Sequence, residues 1–138
     1  MRVSLSKHAK LLLSVVPASF AVMYGLAAPA HAEGDFTSWM VGWNEGHESR
    51  QWIDHNYDAT YGYAQFTNCS KLDFRITIYK EDFGPDTSVG TEVMQCKTGT
   101  GQTQDRVYDG DVGSDEYHFT LKTQISGGVD VQTVYVLW

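Results

Sequence analysis

The sequence predicts an all-β fold, a small antiparallel β-sandwich or barrel with one disulfide. Three observations carry this expectation. Apolar and polar residues alternate through much of the chain after residue 58, the period of a strand with one buried face. Loops rich in Gly, Asp, Ser, Thr or Pro interrupt that alternation roughly every ten residues. No long helical pattern appears after residue 58, and the 138 residues hold just two cysteines, Cys69 and Cys96.

The elements follow in chain order. Residues 1–32 read as a secretory signal peptide. Arg2, Lys7 and Lys10 form a positive start, an apolar run extends from Leu11 to Ala28, and Ala30-His31-Ala32 is a small-residue cleavage site. The mature chain is then expected to be Glu33–Trp138, one domain with a modest core. Of the ten Lys and Arg residues, three lie in the signal. Seven therefore face all seventeen acidic residues, a net charge of −10. Binding to a phosphate backbone needs Lys and Arg, so this balance argues against nucleic acid and against anionic membrane surfaces once the signal is cleaved. It suits a basic partner.

Residues 33–48 form an aromatic N-terminal segment. Phe36, Trp39, Met40 and Trp43 fall at i, i+3, i+4 and i+7, which predicts one face of a short helix with Asp35 as its N-cap. Such a helix is too short to stand alone in water. Its apolar face must dock, either on the domain's own core or, as an arm, on a partner. These four residues are the candidate partner-binding set.

The β domain is expected over residues 49–138, with Trp52 in its core. "TYGYAQFTNC" (Thr60–Cys69) reads as a strand with Gly62 as a bulge. Leu72, Phe74, Ile76 and Ile78 alternate with Asp73, Arg75 and Thr77, a half-buried strand. Val89–Cys96 and Gln104–Tyr108 are shorter candidates. Tyr117, Phe119, Leu121, Thr123 and Ile125 alternate with His118, Thr120, Lys122 and Gln124, which places His118 on an exposed polar face. Val131–Trp138 closes the chain. Gly127-Gly128 in "SGGVD" supplies positive φ for a hairpin joining these last two strands. Cys69 and Cys96, an even pair in an exported chain, predict one disulfide. It closes a loop of about 27 residues, worth roughly 3–4 kcal/mol. Their spacing is not the C-x-x-C of a redox-active pair.

Candidate chemistry is sparse. Asp109, Asp111 and Asp115 crowd one loop, but Gly and Glu are misplaced for a calcium-binding EF-hand, and Asp-Gly loops are ordinary turns. His47 and His55 lie among Glu45, Glu48, Asp54 and Asp58, in a spacing that matches no ligand motif. No G-x-S-x-G or H-E-x-x-H occurs. The expectation is a non-enzyme, with no catalytic residues, no metal and no cofactor. Trp52, Tyr57, Tyr61 and Tyr63 offer a platform for sugar rings, against the simpler reading that they bury. Asn68-Cys69-Ser70 fits a glycosylation sequon.

One stretch carries a resemblance. Ser49-Arg50, Trp52, Asp54 and Asn56, followed by Cys69, Pro85-Asp86, Cys96 and strands from Glu116 onward, resemble small secreted β-proteins of Streptomyces and related bacteria. Some proteins of this kind are the adaptor subunit of umbrella-shaped antibacterial toxin particles. The resemblance implies a secreted adaptor that joins other secreted proteins through an N-terminal arm and an exposed sheet edge. The alternatives are an inhibitor of a secreted hydrolase and a carbohydrate-binding module.

Overall fold

Eight strands follow one another in the computed structural model, which describes residues 33–57, 61–110 and 113–138. They are β1 (Asp35–Trp43), β2 (Trp52–Asp54), β3 (Tyr63–Cys69), β4 (Phe74–Lys80), β5 (Thr87–Met94), β6 (Gln104–Tyr108), β7 (Asp115–Leu121) and β8 (Val129–Leu137). The described residues contain no helix. The signal expected over residues 1–32 lies outside them.

The strands form two four-stranded antiparallel sheets, ordered β1-β8-β3-β6 and β2-β7-β4-β5. The expected all-β sandwich with one disulfide is the observed fold. The core lies between the sheets, where Phe66, Val134 and Val136 of the first meet Ile76, Ile78, Phe119 and Leu121 of the second. Phe66 and Phe119 meet edge to face with centroids 5.2 Å apart, the arrangement that the aromatic quadrupole favours. Cys69 ends β3 and Cys96 lies just past β5, so their disulfide ties one sheet to the other.

A second tie closes one flank. A Cβ on Gly90 of β5 would lie 1.8 Å from the Tyr108 carbonyl oxygen of β6. Only glycine allows the edges of the two sheets to approach so closely.

The motif around Trp52 fastens the opposite flank. The Ser49 hydroxyl accepts from the Phe119 amide at 2.9 Å, and the Ser49 amide donates to the Phe119 carbonyl at 2.8 Å. The Arg50 guanidinium lies 3.7 Å from the centre of the Phe36 ring. Trp52 is buried and stacks on Tyr117. Asp54 caps the turn by accepting from the Asn56 amide at 2.7 Å.

Three expectations are corrected. The N-terminal segment is a strand and not a helix. Phe36 and Met40, four residues apart, share a face under the period of a strand as well as that of a helix. Register shifts flank Met40, and Gly42 adopts a φ of 62°; the shift before Trp43 turns that side chain back toward the core. The boundary expected at residue 48 is therefore no seam, because β1 pairs with β8 as part of the sandwich. Finally, "SGGVD" does not join a hairpin. Gly127 and Gly128 do take positive φ, but β7 already has β2 and β4 on its two sides. The chain instead leaves β7 at Leu121 and crosses to the first sheet to form β8.

Candidate functional site

The four aromatic-segment residues separate in the structure. Phe36 and Met40 point inward and are buried, and Trp43 packs partly against Phe119, with ring centroids 5.8 Å apart. Trp39 points the other way and is 69% exposed, as is neighbouring Val41 at 74%. β1 is an edge strand, so these two apolar residues flank backbone that no strand among the described residues covers. Beside them lies an open groove of about 450 Å³ lined by Trp39, Met40, Val41, Cys69, Lys97 and Asp130. The Asp130 carboxylate fixes the strand there by accepting from the Gly42 amide at 2.7 Å.

A second concavity, of about 260 Å³, lies on the outer face of the β2-β7-β4-β5 sheet. His118 and Thr120 project into it from β7, beside Tyr79 of β4. The expectation of an exposed His118 is corrected: it is 4% exposed. Tyr79 stacks on its ring, and the segment 46–49 pairs along β7 through Gly46–Leu121, His47–Leu121 and Ser49–Phe119 hydrogen bonds. His118 Nδ1 lies 2.6 Å from Glu81 Oε1. Gln51 donates to the same Glu81 oxygen at 2.9 Å. The Gln51 bond, and after it the contact and charge of His118, hold the Glu81 carboxyl below its ordinary pKa despite partial burial.

Asp86 completes a cluster with Glu81 and His118. One ligand atom from each lies within 4.8 Å of the others. The Thr120 hydroxyl is buried in the same cavity and has no hydrogen-bond partner among the described residues. No short motif could reveal this set. His118 and Glu81 are 37 residues apart, and the fold brings the loop after β4 against the outer face of β7. The one legible signal is His118, a titratable residue set between the aromatic residues Tyr117 and Phe119 at the centre of β7.

Other expected sites disperse. His47 accepts from the Asn44 amide at 3.0 Å and stacks on Trp43, while His55 stacks on Tyr57. Asp58 lies outside the described residues, as does Asp111 of the acidic loop. Asp109 is buried, and Asp115 pairs with Lys80 at 3.1 Å. The tyrosine platform also divides. Trp52 is in the core, Tyr57 and Tyr61 are exposed, and Tyr63 packs against Tyr108 and Tyr135 with the Arg106 guanidinium 4.6 Å above its ring. Comparison with family models, with curated proteins and with solved structures yields no match to this chain.

Proposed function

We propose that this chain is a secreted, non-enzymatic binding protein that docks an extended segment of another secreted protein along the free edge of β1. The observation that carries this reading is the pairing of an edge strand with exposed Trp39 and Val41 beside an apolar groove. An added strand gains backbone hydrogen bonds at such an edge, and the groove, which lies on the β8 side of β1 between Trp39 and the end of β3, offers an apolar seat to a side chain reaching past Trp39. Tryptophan is a favoured anchor of protein interfaces. With a net charge of −10 outside the leader, the chain suits a partner segment with basic residues flanking an apolar anchor. The apolar leader and the disulfide support export, since disulfides persist in oxidising compartments. An adaptor of an extracellular assembly, as in umbrella toxin particles, is the specific form of this function.

The test is co-purification of the tagged protein from culture fluid, with Trp39→Asp as the paired variant. The wild-type protein is expected to retain a stoichiometric partner that protects β1 amides from hydrogen exchange. Trp39→Asp should release it without changing the circular dichroism spectrum. A wild-type protein recovered solely as a monomer overturns the proposal, and so does a partner retained equally by the variant.

A further inference from the structure

We infer that Glu81, Asp86 and His118 form a binding site for one divalent transition-metal ion of the Zn²⁺ type, on the outer face of β7 and remote in sequence from the β1 edge.

The first support is geometry. An imidazole nitrogen and two carboxylate oxygens converge within 4.8 Å. Bound Zn²⁺ holds such atoms at roughly 2.0–2.2 Å, so neighbouring ligand atoms sit roughly 3 Å apart. The 2.6 Å contact between His118 Nδ1 and Glu81 Oε1 needs only a small opening to admit an ion.

The second support is independent of the cluster. Thr120 is 3% exposed, lines the same cavity as His118 and Asp86, and leaves its hydroxyl without a partner among the described residues. A buried hydroxyl without a hydrogen bond costs about 1–3 kcal/mol. A water molecule on the metal would give it a partner, because a three-ligand site leaves a coordination position for water.

Charge and donor type fix the class of ion. Glu48 and Asp86 line the cavity and Glu81 adjoins them, so three carboxylates outweigh the one ammonium among the described lining residues, that of Lys122, which lies 5.4 Å from the Tyr79 ring centre. Calcium and magnesium favour sites made wholly of oxygen, whereas an imidazole ligand suits zinc and its neighbours. Gln51 supplies an outer contact by donating to Glu81 at 2.9 Å, the kind of bond that orients a ligating carboxylate. The ion would clip the loop after β4 to β7, joining the 81–86 segment to the interior of the sheet.

The proposal is tested by isothermal titration of the intact, oxidised protein, stripped with chelator, against zinc chloride, with calcium and magnesium chlorides in parallel. One zinc per chain is expected, with at least about tenfold weaker binding of calcium and magnesium. Asp86→Asn, at an exposed position, and Glu81→Gln should each weaken zinc binding about tenfold or more while the metal-free far-UV spectrum stays unchanged. A His47→Ala/His55→Ala variant should bind zinc as the wild type does. At a hundred times the dissociation constant, zinc should raise the melting temperature by roughly 10 °C. The absence of zinc binding overturns the inference, leaving a His118–Glu81 pair that holds a proton alone. Zinc binding that persists in Asp86→Asn and Glu81→Gln but disappears with His47 and His55 also overturns it. Neither result bears on the β1 edge.

Discussion

Among the described residues β1 has a strand on one side only, and its outward residues Trp39 and Val41 are apolar and exposed. β7 has strands on both sides, and its outward residues His118 and Thr120 are polar and buried. In each strand the side-chain type is the opposite of what its surroundings favour. Exposed apolar surface invites association, and buried polar groups cost stability unless they are partnered. Local conflicts of this kind concentrate where a protein keeps a binding surface at the expense of stability. The two strands therefore point to the molecule's two candidate sites by the same logic, one apolar and at the rim, one polar and beneath cover.

The largest test of this contrast concerns the inward faces. Phe119 contacts both Phe66 and Trp43. Phe119→Ala should lower stability by roughly 3–5 kcal/mol, read from the urea midpoint at constant m-value. A loss below about 1 kcal/mol would mean that β7 is not the interior strand its neighbours make it. Next in size is the staple between the sheets. Replacing both Cys69 and Cys96 with alanine should cost roughly 3–4 kcal/mol, and the loss should match that of the wild-type protein after reduction. A clearly smaller cost would show that the close approach of Gly90 to Tyr108 holds the sheets together without the disulfide.

The contrast also explains what was legible in the sequence. Strand patterning marks β3, β4, β5, β6 and β8 to within a few residues, and the cysteine pair marks the disulfide, because both signals are local. β1 carries a helical pattern in sequence because Phe36 and Met40 satisfy two periods at once, and the bulges that decide between them depend on the partner strand β8. Burial of His118 was hidden for a different reason. Its strand alternates as an exposed-face strand does, while the cover comes from Tyr79, from Glu81 and from the segment 46–49. Those contacts are tertiary. The candidate metal cluster is illegible on the same ground, whereas Trp39 stands out in sequence as one of the four aromatic-segment residues.

A smaller effect tests the polar side of the comparison. Glu81 titrates lower in the folded chain than its ordinary value of 4.5, first through Gln51 and then through His118. A depressed carboxyl pKa contributes stability above the unfolded value, and that contribution disappears as pH falls through the folded value. In metal-free protein, unfolding free energy should therefore decline below pH 4.5. Glu81→Gln should make that decline shallower, as measured by urea titrations across the window. An unchanged slope would remove Glu81 from the set of groups that matter to folding.

The smallest expected effect is also the sharpest for the β1 edge. Trp39→Ala should change stability by no more than about 0.5 kcal/mol, the usual range for a surface substitution. Trp39 is exposed, lies on the outward face of β1, and among the described residues lacks the ring contacts that hold Phe36 against Trp52 and Trp138. A tryptophan so placed gains little from folding, yet it leaves a large apolar surface in water beside an uncovered strand edge. If Trp39→Ala instead cost more than about 2 kcal/mol, the side chain would be closing the groove over Met40 and Val131 as part of the core. The edge would then be a sealed flank, and the opposition between an open β1 and a covered β7 would fail. With stability unchanged and partner retention lost, the exposure of Trp39 is explained by binding alone.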